Sequence, residues 1–278
     1  MFLARALAAP IAALGLFAAA LPASAAPILL EDGVAFLEVD PASSDGLTAW
    51  TLNGVPHVRT HSFWVRSSAA GPEAPLGGAP LVSSVATDAS GDGHDDTLAV
   101  AYSLGAGARI DLVYALTGTA IGAPGDPASD LTLDVTIAAG DAPLALGLFA
   151  YTDVDLFNSF ADDAALFAGA PRAASVTDSS ALGAYASSWS LAPHGVEASL
   201  FDTLLAGLLD GDPTALTNAL AASGDVTLGA FWEIALGAGE SITFSQTQSL
   251  RVVPEPGTLL LLAAGLAGLV ARRQEMTR

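Results

Sequence analysis

The feature that most constrains this chain is a two-residue alternation of apolar and polar side chains, repeatedly cut by turn-forming residues. Ile110, Leu112 and Tyr114 alternate within Ala108–Leu116, and Leu131, Leu133, Val135 and Ile137 alternate within Leu131–Ala138. A period of two places every second side chain on one face of an extended strand, so each segment must lay one face on a core. Similar runs occupy Val34–Val39, Leu47–Leu52, Val55–Arg66, Leu81–Thr87, Thr97–Leu104, Leu144–Val154, Val226–Leu236 and Ser241–Val253, with shorter ones in residues 164–192. Asn53-Gly54 between two of them is a hairpin signal, because both residues tolerate positive φ. Residues 67–80, rich in Gly, Pro and Ala, read as a loop. Many short strands joined by turns predict an all-β fold, an antiparallel β-sandwich or barrel.

One stretch breaks the pattern. Leu200, Phe201, Leu204, Leu205, Leu208 and Leu209 recur at helical spacing within Glu197–Leu209, ahead of Gly211. Asp212-Pro213 then resembles a helix start, an Asp cap with proline at the first position, running to about Ala222. The sequence therefore predicts a short helical insertion near 197–222 covering an end or face of the sandwich.

The two ends read differently from the middle. Met1–Arg5 carries one positive charge, an apolar stretch follows, and Ala23-Ser24-Ala25 before Ala26 offers an Ala-x-Ala cleavage site. Residues 1–25 are thus expected to be a secretory signal peptide handled by the Sec translocon and signal peptidase. At the other end, Pro254-Glu255-Pro256 cannot continue a strand or a helix, because proline lacks a donor and restricts the residue before it. Thr258–Ala271 is uncharged and rich in Leu and Ala. As a helix its rise of about 21 Å falls short of a roughly 30 Å bilayer core. Arg272 and Arg273 follow and would anchor its end on the cytoplasmic side.

Tripeptide, apolar helix and arginine pair, in that order at the end of the chain, resemble the PEP-CTERM sorting signal. The resemblance implies recognition by exosortase, a membrane cysteine protease that cuts at the Pro-Glu-Pro motif, with Pro254, Glu255, Pro256, Arg272 and Arg273 as the sorting residues. It further implies a precursor held transiently in the inner membrane, then a protein at the cell surface or in the extracellular matrix of a Gram-negative, exopolysaccharide-producing bacterium. Phe63-Trp64-Val65-Arg66, Tyr151–Leu156, Gly224-Asp225-Val226-Thr227 and Phe231-Trp232 resemble an all-β domain common among such surface proteins. The expected division is residues 1–25 as signal peptide, 26–250 as the secreted sandwich and 251–278 as the sorting segment.

Charge and composition narrow what the middle can do. It holds 27 of the 29 acids against four arginines (Arg59, Arg66, Arg109 and Arg172) and no lysine, a formal charge of −23. Such a surface repels nucleic acid and anionic lipid and suits cations or an ionic matrix. Cysteine is absent, so the fold rests on packing without disulfides, and thiol catalysis and thiolate metal sites are excluded. No Gly-x-Ser-x-Gly elbow, phosphate loop or dinucleotide fingerprint occurs.

The hinge Asp88–Asp96 partly matches a calcium loop, with Asp88, Ser90 and Asp92 at alternate positions and Gly93 next. Ala99 stands where the loop's closing Glu belongs, and an acidic hairpin turn is the competing reading. A second oxygen-rich group comprises Asp153, Asp155, Asn158, Asp162 and Asp163; in a strand Asp153 and Asp155 share a face. The histidines His57, His61, His94 and His194 fit no zinc motif. Trp50, Trp64, Trp189 and Trp232 are expected in the core, with a sugar groove as the alternative. These readings leave three functions: a non-enzymatic surface or matrix protein without cofactor, a secreted carbohydrate-active enzyme, or a calcium- or glycan-binding module.

Overall fold

The computed structural model describes residues 26–120, 126–168, 173–180 and 183–252. Its strands, in chain order, are β1 (Ile28–Asp32), β2 (Ala35–Asp40), β3 (Gly46–Leu52), β4 (Val55–Arg66), β5 (Ala74–Pro75), β6 (Leu81–Thr87), β7 (Thr97–Gly105), β8 (Ala108–Gly118) and β9 (Ala128–Ala138). They continue with β10 (Leu144–Val154), β11 (Asp163–Phe167), β12 (Ala173–Asp178), β13 (Gly183–Trp189), β14 (Gly195–Leu200), β15 (Ala221–Gly224), β16 (Val226–Leu236) and β17 (Ser241–Val252). A single α-helix among the described residues, α1 (Phe201–Leu209), lies between β14 and β15.

Two antiparallel sheets form the expected sandwich. One has the order β1-β2-β3-β4-β10-β16-β14, with β5 added on β4; the other runs β15-β11-β12-β13-β17-β9-β8-β7-β6. Alternation decides what faces inward. In β9, Leu131, Leu133, Val135 and Ile137 are fully buried while Thr132, Asp134 and Thr136 are only partly so. Leu37, Leu47, Trp50, Leu148 and Trp232 belong to the same core from the opposite sheet.

The sheets meet at one edge, where Gly118 of β8 packs against Asp32 of β1. The Gly118 N–H donates to Asp32 Oδ2 at 3.0 Å. A Cβ on Gly118 would lie 2.1 Å from the Asp32 carbonyl oxygen and 2.8 Å from Ala35 Cβ. Gly118→Ala must therefore push β1 away, and we expect a loss of about 1–3 kcal/mol in urea unfolding, the usual range for overpacking. A loss under ~0.5 kcal/mol would show that this edge yields freely.

Strand β10 is buried on both faces. Leu146, Leu148, Ala150 and Val154 enter the inter-sheet core, whereas Phe149 and Tyr151 join Trp64, Leu204 and Leu208 in a second cluster on the outer face. Helix α1 covers that face with Leu204 and Leu208. It sits close because β16 has a glycine beneath it: a Cβ on Gly229 would come 2.7 Å from Leu204 Cδ2.

The helical insertion is shorter than its spacing predicts. Glu197–Leu200 belongs to β14, paired with β16 through Glu197↔Gly229 and Leu200↔Val226, and only Phe201–Leu209 is helical. Asp212-Pro213 starts no helix, and Ala221–Gly224 is β15, paired with β11. Tertiary hydrogen bonds explain the difference. The Thr214 N–H donates to the Glu73 carboxylate (3.1 and 3.2 Å), and the Thr217 N–H to Glu197 Oε2 at 2.6 Å. Asn218 Oδ1 and the Ala219 carbonyl accept from Val196 and Ala198 on the free edge of β14. Those partners outweigh a local preference of a few tenths of a kcal/mol per residue.

The chain stays in the sandwich slightly beyond residue 250, since Arg251 and Val252 complete β17. Among the described residues no helix is long and apolar enough to cross a membrane. The signal-peptide residues Ala23 and Ala25, the sorting residues Pro254, Glu255, Pro256, Arg272 and Arg273, and the expected C-terminal helix lie outside the described residues; Ala26 is exposed at the start of them.

Candidate functional site

The end of β10 and the start of β16 adjoin, because the two strands pair from Leu144↔Leu236 to Val154↔Val226. Asp153 lies on the outer face with Tyr151 two residues before it, as the alternation requires. Asp155 follows in the connection to a 3₁₀ turn, Leu156–Asn158, in which Phe157 and Asn158 have positive φ (55° and 60°). Strand β4 holds this turn in place. The Asp155 N–H donates to the His57 carbonyl at 3.0 Å, and the Phe157 N–H to His57 Nδ1 at 3.2 Å. Asp225, immediately before β16, completes the group, and its carbonyl accepts from the Phe201 N–H that opens α1.

Asp153, Asp155 and Asp225 each offer a carboxylate oxygen, and these oxygens lie within 4.8 Å of one another. Asp153 and Asp155 are 5% and 7% exposed. Arg59 balances part of the charge, donating from Nε to Asp155 Oδ2 at 3.1 Å and also to Asn158 Oδ1. Oδ1 of Asp153, Oδ1 of Asp155 and the Tyr151 hydroxyl are buried without a hydrogen-bond partner. Burial, then the charges of Asp155 and Asp225, push Asp153 up to about 7. Burial raises Asp155 against the opposing Arg59, and raises Asp225 together with Asp155 and Asp202. The Tyr151 phenol is driven upward by burial and then by Asp153, Asp225 and Asp155. The arrangement is a largely buried, all-oxygen group in which three carboxylates are offset by one arginine.

Other residues of the sequence-level group serve elsewhere. Asp163 is fully buried, accepts from the Leu156 N–H at 3.2 Å and is pushed up to about 7 by burial. Asp162 is exposed and bonds Ser159 and Ser179. The hinge Asp88–Asp96 joins β6 and β7 on the other sheet, so Asp88, Ser90 and Asp92 are not brought to Asp153 and Asp155. Asp88 Oδ1 accepts from the N–H groups of Gly91 (2.6 Å) and Asp92 (3.2 Å), and Oδ2 from Gly93 (2.9 Å). Asp92 Oδ1 accepts from His94 N–H at 3.0 Å. These are the bonds of an acidic turn fastened to its own backbone.

All four tryptophans are buried, Trp50 and Trp232 completely. His57 and His61 point into the interior, while His194 is exposed and His94 pairs with Glu31 at 3.2 Å. Above the second cluster Arg66 stacks on Phe149 and Phe231, 5.1 Å from each ring, and donates to Glu73 at 3.0 Å and to the Thr214 carbonyl at 2.9 Å. It borders an open cavity of about 390 Å³ that His194, Phe231 and Glu233 also line.

Asp225 and Tyr151 are absent from the metal candidates that sequence reasoning selects. Asp225 is some seventy residues from Asp153 in sequence, and only the β10–β16 pairing brings the two together. The available signal was Gly224-Asp225-Val226-Thr227, one of the segments that resemble an all-β domain of surface proteins.

Residues 252–274 match the model of the PEP-CTERM protein-sorting motif. No curated protein matches the chain in sequence. Among solved structures, a bacterial glucoamylase complexed with acarbose is similar with a TM-score of 0.54 at 11% identity, over 84% of this chain and 32% of that one. A protein of Synechocystis sp. PCC 6803 gives 0.54 at 10% identity, over 82% of this chain and 96% of its own. A putative aldose 1-epimerase of Escherichia coli K12 gives 0.50 at 14% identity, over 82% and 99%. The chain thus spans about a third of the glucoamylase. At such identities these are likenesses of fold.

Proposed function

We propose that this chain is a non-enzymatic protein of the cell surface or extracellular matrix, exported through its N-terminal signal and sorted by exosortase. The observation that carries this reading is the PEP-CTERM motif at residues 252–274. The fold suits such processing. Strand β17 ends at Val252, pairs with both β13 and β9, and closes with the Val252 N–H on the Pro127 carbonyl at 3.1 Å. Cleavage near Pro254 would leave every strand of the described residues intact. An acidic, disulfide-free sandwich also suits a hydrated, cation-rich exopolysaccharide.

Intact mass of the mature protein from its own host tests the reading, beside a variant with Pro254, Glu255 and Pro256 changed to Ala. We expect the parent to end near residue 253 and the variant to retain Arg278. An intact C-terminus in both would overturn exosortase sorting.

A second reading, glycan binding or a carbohydrate-active enzyme, is favoured by one observation: the cavity beside Arg66, with aromatic Phe231 and polar His194 and Glu233 on its wall. Aromatic and charged groups on one wall suit a sugar ring. Its test is calorimetry with acarbose and with host exopolysaccharide, followed by a search for reducing-end products. Saturable binding without products would make the protein a glycan-binding module; turnover would make it an enzyme.

A further inference from the structure

We propose that Asp153, Asp155 and Asp225 form a calcium site, completed by the Tyr151 hydroxyl or by water held on it. Four observations support it. The donors are all oxygen, which selects a hard cation. Oxygens within 4.8 Å of one another are close enough to meet on one ion whose ligands lie at about 2.3–2.6 Å, as calcium's do. Charge favours a cationic partner, since three carboxylates face one arginine, Arg59; a divalent ion would bring the local formal charge of the ionised group to zero. Tyr151, outside the carboxylate set and 1% exposed, has no partner for its hydroxyl and lies in the field of the same three carboxylates. A buried phenol without a bond bears an uncompensated desolvation cost, so a ligand beside it relieves an existing penalty.

The ion would join three pieces of the chain that otherwise meet edge to edge: the end of β10, the 3₁₀ turn after it, and the start of β16. Because the Asp225 carbonyl also receives the first N–H of α1, the seat of the helix would be fixed through the same residue. Calcium is therefore expected to order the outer face of the eight-stranded sheet. The hinge at Asp88 has no part in this, as its carboxylate is already occupied by backbone N–H groups.

The test uses the exported protein purified from its host, stripped with chelator and titrated with calcium chloride, then separately with terbium chloride. Tyr151 and Trp64, in the same cluster, are placed to sensitise terbium emission. We expect saturable emission displaced by calcium, and a Tm rise of roughly 5 °C or more at a hundredfold excess of calcium over Kd. Asp153→Asn and Asp225→Asn should each weaken binding at least about tenfold, while Asp88→Asn should leave it unchanged. Asp225 is only half-buried, so its variant serves if Asp153→Asn does not fold. The proposal is overturned if the parent responds to neither ion, if magnesium binds more tightly than calcium, or if Asp88→Asn abolishes binding while Asp225→Asn keeps it. Sorting does not enter these measurements, so their failure would leave the exosortase reading untouched.

Discussion

Replacing Trp232 by Ala is expected to lower the stability of the sandwich by about 3–5 kcal/mol, as removal of a fully enclosed aromatic does. Trp232 lies on β16 with no exposure, and its ring meets residues of the facing sheet: Trp189 of β13 at 6.1 Å and Phe244 of β17 at 5.2 Å. Phe167 of β11 extends the row by stacking on Trp189 at 6.2 Å. Loss of the indole would open a cavity between the sheets and leave the Leu191 carbonyl without its bond from Nε1. Domains of this size are stable by about 5–15 kcal/mol, so the loss would be a substantial share of the total. Urea unfolding at neutral pH measures the loss, with Trp232→Phe as a milder companion that keeps a ring in place. A loss below ~1 kcal/mol for Trp232→Ala would mean that this aromatic row does not hold the sheets together.

The second large effect is a response to pH made of two opposed parts. Burial lowers His57 and His61 from 6.5 to about 4. Between those values the unfolded chain binds protons that the folded one refuses. The stability these residues permit is complete above pH 6.5 and is lost as pH falls towards 4, on the order of 3 kcal/mol for each. Asp163 behaves in the opposite sense. Its carboxyl rises from 3.8 to about 7, so the folded chain holds a proton that the unfolded one has released, and stability is lost as pH rises from about 4 to 7. Asp153 adds to that loss when no cation neutralises it. The parent should therefore show a shallow profile that hides two slopes. His61→Gln is expected to be relatively more stable at pH 4.5 than at 7, and Asp163→Asn the reverse, each by roughly 2–3 kcal/mol compared with the parent. Urea midpoints at the two pH values read this directly. Variants with the parent's profile would show that these buried groups titrate together with solvent.

The site was only half legible from sequence, and particular residues show why. Asp153 and Asp155 were visible as close neighbours in sequence, although β10 ends at Val154 and Asp155 lies in the connection after it. Their environment was not, because the burial of Asp153 depends on segments distant in sequence that pack around β10. Asp225 became a partner through the register of β10 on β16, and register of distant strands is not a local property. The hinge at Asp88 shows the other side of the same problem. Alternating acids there imitate a calcium loop, yet the tight turn folds the Asp88 carboxylate back onto its own amides.

For the fold, period-two runs and turn residues determined most strands and the two-layer class, because alternation reports a local choice between core and solvent. Val226–Leu236 and Leu144–Val154 have the boundaries that the pattern predicts. The short β1 lacked enough alternation to stand out. The segment after Pro213 had good helix-start chemistry but became an extended strap and then β15, because the carboxylates of Glu73 and Glu197 and the free edge of β14 offered its amides stronger partners. The sequence by itself thus determined the strand content, the acidic surface and the sorting motif, all written in contiguous residues. Tertiary structure alone decided the strand order, the seat of α1 and the meeting of Asp153, Asp155 and Asp225, since each depends on contacts between segments far apart in the chain.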